Sequence, residues 1–293
     1  MRRWTAEFMR DDMGIIQTPE SLKFVTQDEA RIRWLKSLEA RDHRRYFKSG
    51  FKAHEQSIGA FLRGSFNLFA ARPGVGKTAF LFALAYRQVL AGVRAYFCNL
   101  EMGVEQMWNR LACLHDESLT LRELNEGQIT GSRVQYFMNL AEKLAGFSPL
   151  FFESTEFRAL VTATQAEIKP SSDSILFVDY IGLFTMKGLG PQERYWLISE
   201  CAKALKLLAR QLDIPIIAAV QLNRQLEARK DKTPTLADLR DSGELENHAD
   251  SVFALTREDR GALEVDCLKN RHGPLASYSL RFDGPRVALE EFD

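Results

Sequence analysis

Ala71-Arg72-Pro73-Gly74-Val75-Gly76-Lys77-Thr78 is the stretch on which the fold turns. It has the spacing of a phosphate-cradling Walker A loop, with Ala71 where the pattern usually has Gly. In such a loop successive backbone N–H groups curl around a β-phosphate, and small residues such as Gly74 and Gly76 let the backbone come close. The helix that starts near Lys77 turns its positive end towards the same anion. Lys77 is placed to reach the β- and γ-phosphates, and the Thr78 hydroxyl to coordinate Mg2+. An apolar strand from Phe66 to Ala70 precedes the loop and a helix to about Leu90 follows it. A chance Gly-Lys-Thr would lack that context.

Outward from the loop, apolar runs alternate with helical periodicity. Strands are expected at Val93 to Cys98, Leu150 to Phe152, Ile175 to Val178 and Ile214 to Val220. Two or three helices fill about Val104 to Ala145, with others over Phe157 to Ile168 and Gln192 to Leu212. Strands apolar throughout and separated by helices indicate an α/β fold, with a mostly parallel twisted sheet flanked by helices. The later strands, Ser251 to Leu255, Leu263 to Leu268 and Ser277 to Phe282, are joined by short turns such as Asp259-Arg260-Gly261. That edge is expected to be antiparallel.

Three polar residues close strands. Asp179 ends the Ile175 to Val178 strand, Glu101 follows the Tyr96 to Leu100 run, and Gln221 ends the Ile216 to Val220 strand. In a doubly wound sheet the carboxyl ends of strands face the ligand crevice. Asp179 there would hold the Mg2+ shell opposite Thr78, and Glu101 would orient and partly deprotonate an attacking water. Gln221 would sense a terminal phosphate and pass its loss onward. The plainer readings are a surface acid or helix N-terminal charge for Glu101 and a polar strand end for Gln221.

Composition bounds the rest. The chain has 293 residues, with Lys plus Arg equal to Asp plus Glu at 39 each, so the formal net charge is zero. Any nucleic-acid binding must therefore come from local loops. The four cysteines lack ligand spacing, and Cys98 and Cys267 sit in strand-like runs as buried thiols. The five histidines are scattered, so no His/Cys metal constellation or Ser-His-Asp arrangement is read. No signal core or membrane-length apolar stretch is present, and a cytoplasmic protein without a membrane partner is expected. Residues 1–20 read as a loose arm, 21–46 as an exposed amphipathic helix in the manner of a linker, and 47–293 as the catalytic domain.

In this order the segments resemble the C-terminal ATPase domain of the DnaB-family replicative helicases. Asn99-Leu100-Glu101-Met102 with Glu105-Gln106 and Arg110-Leu111 looks like that family's catalytic-glutamate segment. Val178-Asp179-Tyr180-Ile181 looks like its Walker B stretch. Leu205 to Ala209 with Gln221-Leu222-Asn223-Arg224 resembles its sensor helix and strand, and Leu236 to Asp250 its DNA-loop segment. Lys269-Asn270-Arg271-His272-Gly273 resembles the segment carrying its trans-acting basic residues.

The resemblance covers about residue 47 to the C-terminus. It implies a RecA-like P-loop NTPase fold, ATP and Mg2+ as cofactors, and a hexameric ring with ATP sites between subunits. It further implies movement on single-stranded DNA with duplex unwinding. Lys269 and Arg271 would reach the neighbour's γ-phosphate, and Arg240, Asp241 and Gly243 would form the DNA-gripping segment. Helicase loaders or primase are implied partners. The basic stretch Arg224 to Lys232 would add phosphate contacts or form a solvated loop.

Gly182 and His272 depart from the family's usual residues, and the family's N-terminal helical collar is not seen. The 21–46 helix stands in the linker's place and is expected to pack in trans. Two alternatives stay open at this level: a RecA-like ATPase without unwinding activity, and a collar-less paralogue that modulates a full-length replicative helicase.

Overall fold

The segment Phe66–Ala71 forms β1, and all six of its residues are buried, as the apolar run before the loop requires. The computed structural model describes residues 26–32, 46–127, 133–150, 155–186, 193–239, 243–257 and 261–292. The chain divides into two compact units, 1–46 and 47–293. In the first, a helix covers 27–32. Thr26 and Glu29 open it by exchanging side-chain and backbone hydrogen bonds at 2.9 and 3.2 Å, a reciprocal N-terminal cap. Apart from Tyr46, which begins a two-residue strand, the rest of the expected 21–46 helix lies outside the described residues.

In the second unit β1 is followed by β2 (Arg94–Asn99), β3 (Phe147–Leu150), β4 (Ser174–Asp179), β5 (Ile216–Gln221) and β6 (Ser251–Thr256). Then come β7 (Ala262–Asn270), β8 (Ser277–Asp283) and β9 (Ala288–Glu290). Among the described residues they form one nine-stranded sheet of order β9-β8-β7-β6-β1-β5-β4-β2-β3. From β6 through β3 every pairing is parallel. From β6 to β9 every pairing is antiparallel.

Sequence patterning explains the division. Strands β1 and β4 are buried along their whole length, whereas β7 alternates, with Leu263, Val265 and Cys267 inward. A strand covered on both faces reads as a continuous apolar run, and one covered on one face reads with a period of two. The mostly parallel α/β sheet with an antiparallel C-terminal edge is therefore as expected. The strand expected at Leu150 to Phe152 starts earlier: among the described residues β3 covers Phe147–Leu150, and Phe151 and Phe152 lie outside them. Phe147 is the anchor, packing against Phe82, Phe97 and Trp108. Pro149 lacks an N–H but is tolerated because β3 is an edge strand.

Helix α1 (Lys52–Ser57) precedes the sheet, and α2 (Lys77–Leu90) follows the loop and lies across one face. Phe80 of α2 packs on Phe69 of β1 at 4.8 Å, and Phe69 stacks on Phe253 of β6 at 4.6 Å. Phe82, two residues on, stacks on Phe97 of β2 at 4.3 Å. These rings fix where α2 begins, and hence where the loop before it points. Helices α3 (Val104–His115), α4 (Leu121–Asn125), α5 (Val134–Lys143) and α6 (Phe157–Glu167) follow in order. Then come α7 (Arg194–Leu212), α8 (Gln225–Ala228) and α9 (Gly243–His248). Helix α7 turns Leu197, Ile198, Cys201, Leu205, Leu208 and Leu212 inward, a helical stripe that buries the face. All four cysteines are buried and unpaired. Among the described residues no helix is long and apolar enough to cross a membrane.

His54 of α1 is sealed in this core. Its Nδ1 lies 2.8 Å from the Tyr278 hydroxyl, and the rings of Phe61 and Phe253 close over it. Burial lowers its pKa from 6.5 to about 4. A histidine held neutral in the folded state gives stability that is full above the unfolded pKa and is lost as pH falls towards the folded one. We therefore expect about 3 kcal/mol of unfolding free energy to disappear between pH 6.5 and pH 4 on account of this ring. In His54→Gln, chemical denaturation across that range should show a correspondingly flatter pH dependence. An unchanged slope would remove His54 as the cause.

Candidate nucleotide site

The loop 72–76 leaves the end of β1 and turns into α2 with positive backbone φ at Gly74 (78°) and Gly76 (122°). A side chain at Gly76 would be strained in that conformation and would also press on the Phe282 ring, 3.3 Å from the position of its Cβ. Ala71 needs no such freedom, because it is the last, extended residue of β1. The departure from the usual loop pattern at this position is therefore harmless. Arg72 turns its side chain away, donating to Glu227 and to Leu222 O at 2.9 Å. Its contribution to an anion cradle is its backbone N–H, while its guanidinium ties the loop to the segment after β5.

Strand register brings the acids to the loop. Ala71 pairs with Gln221 across β1 and β5, and Asn99 pairs with Asp179 across β2 and β4. Glu101 lies two residues beyond the tip of β2. The Asn99 side chain accepts hydrogen bonds from the Glu101 and Met102 N–H groups at 2.7 and 2.9 Å, setting the turn that carries the glutamate. The ammonium of Lys77 sits over the Tyr180 ring, 4.6 Å from its centre. A Cβ at residue 182 would lie 2.7 Å from that ring, so Gly182 is what lets Tyr180 take this place. The Asp179–Tyr180 peptide is cis.

Asp179 is 1% exposed, and neither of its carboxylate oxygens accepts a hydrogen bond among the described residues. Burial pushes its pKa above the usual carboxylate range. The nearby Thr78 hydroxyl, Lys77 and Arg110 favour the charged form, and Glu101 opposes it. The Thr78 hydroxyl is close enough to act on the charge, but its geometry falls short of a hydrogen bond. Burial lowers the Lys77 pKa, against the pull of Asp179 and Glu101. Buried polar atoms without partners are uncommon and call for a ligand, an ion or water. Two such oxygens beside a threonine hydroxyl fit the donor set that a hard divalent cation takes, and the lysine beside them fits a phosphate. Among the described residues no group of three or more His, Cys, Asp or Glu gathers to hold a metal ion. A cation at Asp179 would therefore depend on phosphate oxygens and water for its remaining ligands, as Mg2+ does in phosphoryl-transfer sites.

Two residues at the loop carried no motif and were not singled out in the sequence. Arg257, just past β6, donates to Gly74 O at 3.0 Å, and its guanidinium lies over the Phe282 ring at 4.3 Å. Only the topology reveals them, since β6 neighbours β1, and β7 and β8 follow outward from it in the same sheet. An open groove of about 940 Å3 runs alongside, bordered by Arg72, Lys230, Lys232 and Arg257. Arg229, from the same basic stretch, is engaged by Asp238 at 2.7 Å.

Lys269 and Arg271 stand elsewhere. Antiparallel β7 carries them to the far end of the sheet, where Lys269 pairs with Val252 near the start of β6 and Arg271 N–H donates to Asp250 O. Asp250 in turn bonds the first amide of β1 at 2.7 Å. Six residues of β1 separate this end from the loop, roughly 17–20 Å at strand rise. That is beyond an arginine side chain. Of the expected DNA-gripping residues, Arg240 and Asp241 lie outside the described residues, and Gly243 is the first residue of α9.

A glycine-turned loop at the tip of a central parallel strand, met by acids from neighbouring strand tips, defines a RecA-like P-loop nucleotide-binding domain. The chain belongs to the DnaB-like helicase C-terminal domain family, whose model matches residues 47–291. It is similar to a probable plasmid replicative DNA helicase of Chlamydia psittaci, 32% identical over 247 residues, which are 80% of this chain and 53% of that protein. The replicative DNA helicase DnaC of Bacillus subtilis is 30% identical over 249 residues, 80% of this chain and 54% of its own length. This chain thus spans about half the length of the curated relatives it matches. Among solved structures, a DnaB-like replicative helicase, described with its interactions with primase, superposes with a TM-score of 0.78 at 26% identity, over 92% of this chain and 68% of its own. A second solved structure, described as an ATPase domain, gives 0.81 at 27%, over 92% and 100%.

The unpartnered Asp179 carboxylate makes a test. A carboxyl whose folded pKa is raised costs the folded state stability once pH exceeds the unfolded value. Asp179→Asn should therefore melt about 2–4 °C higher than the parent at neutral pH without nucleotide. The same variant should lose the extra rise in Tm that Mg2+ gives in the presence of nucleotide. A lower nucleotide-free Tm would show that the carboxylate is not a strained, waiting ligand.

Proposed function

We propose that this domain binds and hydrolyses ATP with Mg2+ at interfaces between copies of itself, and uses the cycle to move along single-stranded DNA and unwind duplex. The observation that carries this reading is the division of the chemistry between the two ends of one sheet. Lys77, Thr78, Glu101 and Asp179 gather at one end, while Lys269 and Arg271 project from the other. Neither set is complete alone, and a head-to-tail arrangement joins them.

In this mechanism the backbone N–H groups of 72–78 and the N-terminus of α2 bind the phosphates. Lys77 reaches the β- and γ-phosphates. Thr78 and Asp179 would hold Mg2+, which would supply charge neutralisation at the phosphates. Glu101, fixed by Asn99, orients the attacking water and takes its proton. Lys269 and Arg271 of the adjacent copy offset the charge that develops in the transition state, as arginine fingers do. Gln221 lies level with Ala71 in the neighbouring strand and would register loss of the γ-phosphate. The Arg257 guanidinium, lying over the Phe282 ring beside the loop, would offer its outer face to the nucleobase, a contact that every base can make.

The reading is supported by membership of the helicase domain family and by relatives named as replicative helicases over half their length. A ring of six, a segment at Arg240, Asp241 and Gly243 gripping the DNA backbone, and a primase or loader partner belong to the same proposal. So does trans packing of the 21–46 helix.

Lys77→Ala and Glu101→Gln should each lower DNA-stimulated ATP turnover by about 100-fold or more, and Lys269→Gln with Arg271→Gln by about 1,000-fold. Mixing decides whether the pocket is shared. Glu101→Gln subunits combined with the Lys269/Arg271 double variant should recover part of the lost turnover, because some interfaces then hold an intact half from each. If the mixture is no more active than its parts, the two basic residues do not act across an interface.

A further inference from the structure

Every α-helix ends with carbonyl oxygens that find no partner inside it. In α9 two of these are taken by the basic pair of β7. Lys269 Nζ donates to Glu246 O at 2.5 Å, and Arg271 Nη2 to Asn247 O at 2.8 Å. Cations at this end also offset the negative pole of the helix, which makes the pair a C-terminal cap supplied from another element.

The backbone beneath the pair is fixed independently. Arg271 N–H donates to Asp250 O at 2.9 Å. The buried Asp250 carboxylate is held by the Phe66 N–H at 2.7 Å and Lys206 Nζ at 2.6 Å, with Arg271 and His272 at 3.7 and 3.9 Å. Among the described residues the two side chains bridge from this anchored turn to α9. Both are partly exposed, and burial together with the neighbouring Arg271 charge already lowers the Lys269 pKa. A triphosphate presented from outside would compete well for them, since it offers an opposite charge, and to Arg271 a bidentate bond, that a neutral carbonyl lacks.

We propose that Lys269 and Arg271 form an exchangeable cap for α9, which is surrendered when a second copy presents its Mg-ATP to them. The nucleotide state of one subunit thereby sets the stability of α9 in the next. This rests on the shared-pocket reading above and adds to it a route of communication. Helix α9 packs on α7 and begins at Gly243, so the same six residues join the basic pair to the segment expected to grip DNA.

Hydrogen exchange on the full chain tests this. Without nucleotide, backbone amides of 245–249 should exchange about three-fold or more faster in the Lys269→Gln/Arg271→Gln variant than in the parent, as loss of two terminal cations implies. Saturation with Mg2+ and a non-hydrolysable ATP analogue should bring the parent towards the variant's rate and leave the variant unchanged. Equal exchange in parent and variant without nucleotide would show that the cations do not cap α9. Slow exchange persisting in the analogue-bound parent, alongside successful complementation in the mixed-subunit assay, would leave the shared pocket standing and overturn the exchangeable cap. Failed complementation would instead fault the pocket itself.

Discussion

The structure is organised around the burial of one carboxylate. Asp179 closes a strand whose every residue is out of water, and among the described residues its two oxygens accept no hydrogen bond. A group in that position is costly unless something charged joins it. The parallel sheet makes the position possible, because the tips of β1, β4 and β2 end close together and at nearly one level. Thr78 and Lys77 arrive from the loop at the same height. The site is thus a consequence of strand register, and register is set by apolar side chains well away from any ligand. Phe69, Phe80 and Phe253 fix the start of α2, while Phe82, Phe97 and Phe177 fix the strands beyond it.

Much of this was legible in the sequence because it depends on local pattern. Walker-type spacing, fully apolar strands and polar strand ends are features of neighbouring residues, and they pointed to Lys77, Thr78, Glu101 and Asp179 as well as to the parallel sheet. Features that depend on residues far apart were not legible. Nothing near Arg257 or Phe282 marks them, since they reach the loop only because β6 and β8 flank it in space. The direction of the Arg72 side chain depends on Glu227, a partner 155 residues away. The start of β3 was not legible either, because Leu150-Phe151-Phe152 is the more apolar run, whereas Phe147 pairs with Ala95 and packs against Phe97.

The basic residues of β7 show the opposite case. Their sequence, Lys-Asn-Arg-His-Gly, reads equally well as a solvated turn. What changes the reading is the reversal of chain direction at β6. The antiparallel strand must carry its C-terminal end away from the crevice, so these cations are barred from their own subunit's loop. A parallel strand in the same place would have delivered them to it. The antiparallel edge is therefore part of the chemistry, because it converts a one-subunit pocket into one that needs a neighbour.

That division also bears on how a free subunit can exist without damage. Two cations projecting from a sheet end would repel each other and invite stray anions, yet here they rest on carbonyls of the same chain. The bonds go to neutral carbonyls, with the Asp250 carboxylate 3.7 Å from Arg271 and so outside hydrogen-bond reach. An acidic side chain there would hold them more strongly and slow their exchange to a phosphate. Asp250, the nearest carboxylate to Arg271, is instead committed to Lys206 and to the first amide of β1. Its Oδ2 is thus spent on Lys206 and the first amide of β1, while Oδ1 adds only a longer-range pull on Arg271.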